Sequence, residues 1–233
     1  MPQLRHLDIS RNSFVRLPAP CWQYLPYLKS LNLAHNPTRV LTKESFYGLD
    51  RLQVMVVQHL DDLKRFDADS LAQLKVLTEL RVQSWPSIEK FKFRLGSVVS
   101  GLSSLRKLSA RILEPNGLLT DQILGAFGPK LRELELTGPL HAVTLDAFDG
   151  IESQQLTLTI RDTNLKELPK GFHKMFNNVA HLSLDLRNNR LETLHPEVLY
   201  TNASQWETIG TKILQGMTQI HIPFTQPSHC IVT

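Results

Sequence analysis

Residues 4–12 read LRHLDISRN, and residues 28–36 read LKSLNLAHN. In both stretches apolar residues occupy the first, fourth and sixth positions, and Asn occupies the ninth. The fourth and sixth positions are two residues apart, so in a β-strand their side chains point to the same side. We therefore predict a short strand in each stretch, followed by a turn at Asn12 and at Asn36.

The same pattern recurs along the chain. Further copies begin at residues 52, 77, 105, 131, 155 and 181, with start-to-start spacings of 24, 24, 25, 28, 26, 24 and 26 residues. The pattern resembles the leucine-rich repeat, whose template is LxxLxLxxNxL. Such repeats stack side by side because a single repeat cannot bury its own leucines. The prediction is an α/β leucine-rich-repeat solenoid of about eight repeats, curved and right-handed, with a parallel sheet on its concave face.

Later apolar positions of the repeats are expected to fill the core from the convex side. These positions include Leu17, Leu41, Phe46, Phe148 and Phe172. The fourth repeat is the longest, and its residues 84–102 predict a longer convex segment with one helical turn. In the last repeat Val179, Leu182 and Leu184 offer a competing register, which predicts a small bulge there.

The turn after each strand depends on the ninth position. Asn12, Asn36 and Asn189 occupy it in three repeats, and their amides can bond backbone groups that the bend leaves unpaired. In the third to sixth repeats the Asn is replaced by Leu60, Trp85, Leu113 and Pro139. Since a leucine side chain forms no hydrogen bonds, we expect other groups to satisfy those turns.

Composition argues against several classes of protein. The net charge of +4 comes from 26 basic and 22 acidic residues spread along the chain, which gives no reason to expect nucleic acid as a partner. No apolar run reaches the roughly 18 residues that a membrane span needs. The opening MPQLRHLDIS lacks the basic and apolar segments of a signal peptide.

Two domains are predicted. Residues 1–194 form the solenoid, and residues 195–233 form a C-terminal flanking segment that we interpret as an incomplete cap. Cys21 and Cys230 are too far apart to pair, because seven strand steps of about 4.8 Å separate their repeats. We expect Cys21 to be a buried thiol on the convex side and Cys230 to be a free thiol. The sequence is expected to be a fragment or an incomplete gene product.

No enzyme motif is present. The nine histidines are scattered without an HExxH pair, and no GxxxxGK[ST], GxGxxG or GxSxG stretch occurs. The acidic residues in DDLKRFDAD, residues 61–69, lack the glycine and terminal Glu of a calcium loop and predict a solvated turn. We therefore expect no catalytic residue, no metal, no cofactor and no small-molecule substrate.

Outward strand positions form three columns on the concave face, which is the default binding surface of a solenoid. The first column is His6, Ser30, Val54, Glu79, Lys107, Glu133, Thr157 and Ser183. The second is Asp8, Asn32, Val56, Arg81, Ser109, Glu135, Thr159 and Asp185. The third is Ser10, Ala34, Gln58, Gln83, Arg111, Thr137, Arg161 and Arg187.

The candidate partner contacts come from these columns. Val54 and Val56 form an apolar spot beside Arg81, and the centres of interfaces favour apolar and Arg contacts. The full set is Val54, Val56, Gln58, Arg81, Gln83, Lys107, Arg111, Glu133, Glu135, Arg161 and Arg187. Charges of both signs suit a protein partner better than an anionic polymer. An ordinary solvated strand surface is the alternative interpretation.

The region from residue 177 to residue 216, which contains LSLDLRNNRL and YTNASQWETIGTKILQG, resembles the C-terminal end of the chaoptin-like adhesion proteins. The resemblance implies a secreted, N-glycosylated protein that is tethered to the cell surface by a glycolipid anchor and adheres homophilically. Asn202 opens an Asn-Ala-Ser sequon, the expected glycosylation site. This sequence departs from the family in lacking a signal peptide, a cysteine cap and an anchor signal, so any membrane association would need an anchor that is absent here.

The resulting hypothesis is protein–protein recognition in cell adhesion at the extracellular side of the plasma membrane. The expected partner is a protein, and a second copy of the chain is one candidate. One alternative is an ectodomain fragment of a Toll-like signalling receptor. The other is an intracellular leucine-rich-repeat scaffold, which would explain the sparse cysteines. The repeat length of about 24 residues with a Phe near its end resembles the extracellular class and argues against the scaffold.

Overall fold

The computed structural model describes residues 3–86, 88, 94–194 and 198. Its strands are β1 (His6–Asp8), β2 (Ser30–Asn32), β3 (Val40–Leu41), β4 (Val54–Val57), β5 (Arg65–Phe66), β6 (Glu79–Gln83), β7 (Lys107–Arg111), β8 (Leu118–Leu119), β9 (Glu133–Thr137), β10 (Ala142–Val143), β11 (Ser153–Ile160) and β12 (Val179–Asp185). Eight of them form one parallel sheet in the order β1-β2-β4-β6-β7-β9-β11-β12. This order follows the chain, with one strand for each predicted repeat, so the predicted repeat solenoid is confirmed.

The strand register agrees with the first two predicted columns. His6 pairs with Ser30 at one end of the sheet, and Thr159 pairs with Asp185 at the other. In the third column Gln83 pairs with Arg111, which pairs in turn with Thr137. The competing register predicted in the last repeat produces no register shift, because β11 and β12 keep one constant offset along their paired length. Both strands nevertheless break the two-residue alternation of burial at the same place, and Val179 and Leu182 are both buried.

The core is a continuous stack of the inward strand positions. Leu31, Met55 and Leu80 lie side by side in adjacent strands and are completely buried. In the edge strand β1 the equivalent Leu7 is only partly buried, because among the described residues a neighbouring strand covers it on one side alone. Burial of each leucine by the next repeat is what couples the repeats energetically.

The convex side closes the core as predicted. Leu41, Phe46, Phe148 and Phe172 are buried there, and Leu17 packs against the core while partly exposed. The connecting segments are 3-10 helices at Ala19–Tyr24, Lys43–Phe46 and Phe172–Phe176, and short α-helices α1 (Leu95–Val99) and α2 (Asp121–Leu124). Helix α1 confirms the helical turn predicted in the long fourth repeat. No helix in the described ranges is long and apolar enough to cross a membrane.

The buried Cys21 predicted from the sequence is wrong, because its thiol is exposed. Its neighbour Trp22 takes the inward position of the 3-10 helix and is only 1% exposed. The Trp22 indole N–H donates to the carbonyl of Ser45 in the next repeat, at 2.9 Å. The larger apolar side chain therefore occupies the core, and the adjacent cysteine points to solvent.

The turn asparagines behave as predicted. The amide of Asn36 donates to the carbonyls of Leu33 and of Ile9 in the preceding repeat, both at 2.9 Å. Its carbonyl oxygen accepts the backbone N–H of Phe14 at 3.2 Å. Asn189 repeats this pattern with the carbonyls of Ile160 and Leu186. Each amide therefore joins its own turn to the turn of the repeat before it.

Other polar groups satisfy the turns that lack Asn, as expected. The Trp85 indole donates to the carbonyl of Leu60, and the Ser84 hydroxyl accepts the N–H of Leu113. In the sixth repeat Pro139 is exposed and Leu140 takes the buried position. The turn before it passes through Gly138 at φ 109°, where a Cβ would lie 2.2 Å from the carbonyl oxygen of Ile112.

The flanking segment lies almost entirely outside the described residues. Among residues 195–233 only Val198 is described, and it is buried. The predicted incomplete cap, the free Cys230 and the glycosylation site at Asn202 therefore stay predictions.

Candidate recognition surface

The concave face is the solvent-facing side of the eight-stranded sheet, formed by the three columns of outward side chains. Because the strands pair in register, residues of one column lie in adjacent strands about 4.8 Å apart. Side chains that are remote in sequence therefore form continuous rows on this face.

The apolar spot lies on β4. Val54 and Val56 are both half-buried, whereas the intervening Met55 is completely buried in the core. Val54 has Ser30 and Glu79 as its lateral neighbours in the sheet. The two valines are the only outward aliphatic positions larger than alanine in the predicted columns, so this is where the face offers an apolar contact.

A polar row lies beside the valines in the first two repeats. The Asn32 amide donates to the Asp8 carboxylate at 3.0 Å, and the backbone N–H of Ser10 donates to the same carboxylate at 2.8 Å. Hydrogen bonds from Ser10 and Asn32 hold the pKa of Asp8 below its usual value. At this end of the face the Asp8 carboxylate therefore already accepts hydrogen bonds from within the chain.

From β6 onward the concave face is highly charged, and most of the charges are paired. Within β6 the guanidinium of Arg81 lies 2.9 Å from the Glu79 carboxylate. Lys107 on β7 lies 2.9 Å from Glu133 on β9, and this hydrogen bond raises the pKa of Lys107. Exposed pairs of this kind contribute only about 0–1 kcal/mol to stability. Their side chains can therefore exchange partners at little energetic cost.

Two further arginines continue the row. The Arg161 guanidinium donates to Glu135 at 2.7 Å and also to Asp162 at 2.9 Å. Arg187 forms a bidentate pair with Asp185, with nitrogen–oxygen distances of 2.9 and 2.6 Å. A bidentate pair holds the guanidinium plane in one orientation. These side chains are ordered before any partner arrives.

Glu135 is a partly buried carboxylate in this group. Partial burial disfavours its charged form and would raise its pKa, but hydrogen bonds from the side chains of Ser109 and Arg161 reverse the balance and lower it. Glu135 is therefore an anion at neutral pH, held between two strands.

The charged pairs surround a shallow open depression of about 250 Å³ on the concave face. Five predicted contact residues line it: Lys107, Glu133, Glu135, Arg161 and Arg187. They come from four different strands or strand ends, so the parallel sheet brings them together. No group of three or more His, Cys, Asp or Glu residues that could hold a metal ion occurs in the described part of the chain.

Comparison with known proteins agrees with this architecture. Residues 2–63 match the family model described as leucine rich repeat. Chaoptin of Tribolium castaneum is 25% identical over 190 residues, which cover 81% of this chain and 24% of the relative. Chaoptin of Drosophila melanogaster is 26% identical over 211 residues, which cover 80% of this chain and 16% of the relative. The chain is thus similar to the chaoptins and carries leucine-rich repeats. It spans about a quarter or less of the length of these two relatives.

Toll-like proteins share the fold and part of the sequence. Toll-like receptor 3 of Bos taurus is 30% identical over 122 residues, covering 46% of this chain and 14% of the relative. The solved Drosophila Toll–Spatzle complex in its glycosylated form contains a chain that superposes with a TM-score of 0.61 at 24% identity, covering 85% of this chain and 26% of that one. The TLR13–ssRNA13 complex superposes with a TM-score of 0.61 at 21% identity, covering 81% of this chain and 28% of that one.

One predicted contact residue of this chain, Gln83, is buried and not on the concave surface. Gln83 is only 1% exposed, and its side-chain carbonyl accepts the backbone N–H of His59 at 2.7 Å. The fourth repeat lacks the turn Asn, and Gln83 turns inward to satisfy the neighbouring bend. We therefore exclude it from the candidate surface. Gln58 is half-buried and donates to the carbonyl of Val82, so part of its side chain stays accessible.

Sequence reasoning missed the histidines at the edge of the sheet. Arg111 was predicted as a contact, and the structure places its guanidinium 3.3 Å from the ring of His59. The ring of His59 in turn stacks on His35. Both histidines occupy the eighth template position, directly before the turn residue, and their spacing of one repeat is the signal that could have identified them.

Proposed function

We propose that this chain is a recognition segment of a cell-surface adhesion protein, and that its concave face binds a protein partner through the Val54–Val56 spot and the adjacent charged pairs. The observation that carries the proposal is the similarity to two chaoptins across about four-fifths of the chain. No catalytic group is assigned. Location on the outer side of the plasma membrane is part of the same proposal.

The charge pattern favours a protein over a polyanion as the partner. On the depression, Lys107, Arg161 and Arg187 alternate with acidic residues within hydrogen-bonding distance. A polyanion would have to separate these pairs and would meet the freed carboxylates. A protein surface of mixed sign can instead match both charges in register. Toll with Spatzle is a complex of the same fold with a protein, whereas TLR13 with ssRNA13 involves a nucleic acid, so the expectation of no nucleic acid stays a prediction.

A second copy of the chain is the first partner to test. Positive and negative groups alternate along the face, and such a surface can be self-complementary about a two-fold axis. The apolar spot at Val54 and Val56 would then supply the buried centre around which charged contacts exclude water.

Cell clustering tests the proposal directly. Cells that display the full-length protein containing this chain are expected to cluster with each other when adhesion is homophilic. Val54→Asp with Val56→Asp should reduce clustering strongly, because the loss of a central interface contact costs about 2 kcal/mol or more, roughly thirtyfold in affinity. The milder pair Val54→Ser and Val56→Ser is a second variant in case the Asp substitutions prevent folding, and its surface expression should match that of the parent.

The control for these substitutions is Val76→Asp. Val76 is also an exposed valine, but it lies in a connecting segment outside the sheet. Clustering that survives the concave-face changes yet disappears with Val76→Asp would contradict the assignment of the surface. Absence of clustering at full surface expression would exclude homophilic adhesion, and binding of the displayed protein to cells of a second type would then identify a heterophilic partner.

A Toll-like signalling receptor is the second candidate. The 30% identity to Toll-like receptor 3 over 122 residues favours it. The two candidates differ in what the full-length protein does after binding. A receptor is expected to activate a transcriptional reporter when its ectodomain is crosslinked by antibody, whereas an adhesion protein is expected to hold cells together without that response.

A further inference from the structure

The rings of His35 and His59 stack face to face at the edge of the sheet. Their centroids are 4.2 Å apart and their planes differ by only 5°. His35 is exposed and His59 is half-buried, so solvent reaches both rings. Among the described aromatic contacts this parallel pair lies outside the core, whereas the phenylalanine contacts lie within it.

Backbone geometry creates the pair. Arg11, His35 and His59 share the eighth template position in successive repeats, and all three adopt left-handed backbone with φ of 54°, 57° and 54°. The backbone N–H of Arg11 donates to the carbonyl of Ala34, and that of His35 donates to Gln58. Three equivalent residues therefore leave the sheet edge in the same direction, one strand spacing apart.

The surroundings of the pair are mainly positive. The guanidinium of Arg111 approaches the Nδ1 atom of His59 at 3.3 Å, from a strand two repeats further along. Arg11 and His35 also act on His59 electrostatically, and Asp61 is the acidic group that faces it. Two arginines thus flank two imidazoles along one edge.

Protonation changes what this edge can bind. When the His59 ring is uncharged, its Nδ1 atom can accept a hydrogen bond from Arg111. Burial, followed by electrostatic interaction with His35 and Arg111, lowers the pKa of His59. Protonation of His59 in mild acid would place its positive charge next to His35 and Arg111, so binding of an anion at this edge would become more favourable.

We propose that Arg11, His35, His59 and Arg111 form a binding site for the carboxylates of an acidic peptide segment in a partner protein, with tighter binding in mildly acidic than in neutral solution. Arg111 belongs to the third column of the concave face, but Arg11, His35 and His59 lie outside the three columns, so the site extends beyond that face at the edge where the strands end. Each of the four residues supplies N–H donors when charged, and a carboxylate accepts such donors in pairs.

Separated carboxylates fit this edge better than a continuous polyanion. Asp8 lies three residues before Arg11, and Asp61 lies two residues after His59 and acts on it. A polymer with a phosphate or sulfate on every unit would place negative charge against these two carboxylates. Glutamate or aspartate side chains on a flexible peptide can reach the basic groups and keep away from the carboxylates of Asp8 and Asp61.

Binding of a fluorescently labelled hexaglutamate peptide to the full chain, measured by anisotropy at constant ionic strength, tests the proposal. We expect an affinity at least about fivefold higher at about pH 5.5 than at about pH 7.5, since charge-assisted hydrogen bonds are roughly twice as strong as neutral ones. The peptide itself stays largely ionised at both values because glutamate titrates near about 4.3.

Variants distinguish the contribution of the histidines to hexaglutamate binding from that of the arginines. The pair His35→Gln and His59→Gln is expected to abolish the pH difference, and the pair Arg11→Gln and Arg111→Gln is expected to weaken binding at both pH values. The control His141→Gln removes an exposed histidine elsewhere and should change neither. The Val54→Ser and Val56→Ser pair should leave hexaglutamate binding intact, which keeps the result independent of the function proposed for the concave face.

Three outcomes would overturn the proposal. They are equal affinity at the two pH values, a pH difference that survives loss of both histidines, and tighter binding of a thymidine hexanucleotide than of hexaglutamate through the same four residues. The last result would assign the site to nucleic acid.

Discussion

The indole N–H of Trp85 donates a hydrogen bond to the backbone carbonyl of Leu60, at 2.9 Å across the boundary between two repeats. Trp85 occupies the turn position where other repeats carry Asn, and it is only 3% exposed. The bond runs to the preceding repeat, as the amide bond from Asn36 to Ile9 does. Trp85 therefore fills the buried turn position and supplies the hydrogen bond between repeats that Asn supplies elsewhere.

Replacing Trp85 by Phe tests that role. The change keeps an aromatic ring but leaves the buried Leu60 carbonyl without its donor, which costs about 1–3 kcal/mol. Urea denaturation followed by circular dichroism should show the lower free energy of unfolding. The control is Tyr24→Phe, a change at a side chain that is 67% exposed, which should have little effect. Equal stability of the two variants would show that the indole bond does not matter.

Asn36 and Asn12 provide a matched pair for the asparagine turns. Asn36 is 3% exposed and links two repeats, whereas Asn12 is exposed and bonds only within its own turn. We expect Asn36→Ala to lower the free energy of unfolding by about 2–3 kcal/mol and Asn12→Ala by less than about 1 kcal/mol. Thermal or urea unfolding of both variants measures the difference. A larger loss at Asn12 would contradict the inter-repeat role of the amide.

Substitutions at Gln83 and Arg81 distinguish an effect on stability from an effect on partner binding. Gln83→Leu removes the buried side-chain acceptor of the His59 backbone N–H and should cost about 1–3 kcal/mol of stability. Arg81→Ala removes an exposed pair with Glu79 and should cost at most about 1 kcal/mol. In the clustering assay the order should reverse, with Arg81→Ala reducing adhesion more than Gln83→Leu. Loss of adhesion in properly folded Gln83→Leu alone would restore that residue to the contact surface.

The stability of the solenoid should depend on pH through His59. Its pKa lies below the ordinary value of 6.5 in the folded chain, so the unfolded chain binds the proton more tightly. The stabilisation is complete above about pH 6.5 and is lost progressively as the pH falls from there through the lowered pKa of the folded state. Denaturation curves recorded at intervals across this range should show the decline.

The variant His59→Gln should flatten that part of the stability profile, whereas His141→Gln should leave it unchanged. A decline of the same size in both variants would assign the pH dependence to other groups. An excess of the hexaglutamate peptide should reduce the decline in the parent chain, because an anion bound to the folded state favours the protonated form of His59.

The repeat pattern determined much of the architecture in advance. Leucines at period two, recurring about every 24 residues, have few ways to be buried together, so the eight parallel strands and the register of Val54 with Ser30 followed from the sequence. The role of Asn36 also followed, since a side-chain amide after a strand has unpaired backbone groups within reach.

Only the tertiary structure decided which of two candidate side chains is buried and which is exposed to solvent. Cys21 is exposed because Trp22 takes the inward place, and Gln83 is buried because the neighbouring turn needed an acceptor. The stacking of His35 on His59, and the reach of Arg111 to that pair, depend on backbone direction at the sheet edge and on distances across repeats. A repeating sequence specifies which residues become neighbours, because strand pairing is periodic, but the packing of individual side chains settles which of them face the solvent.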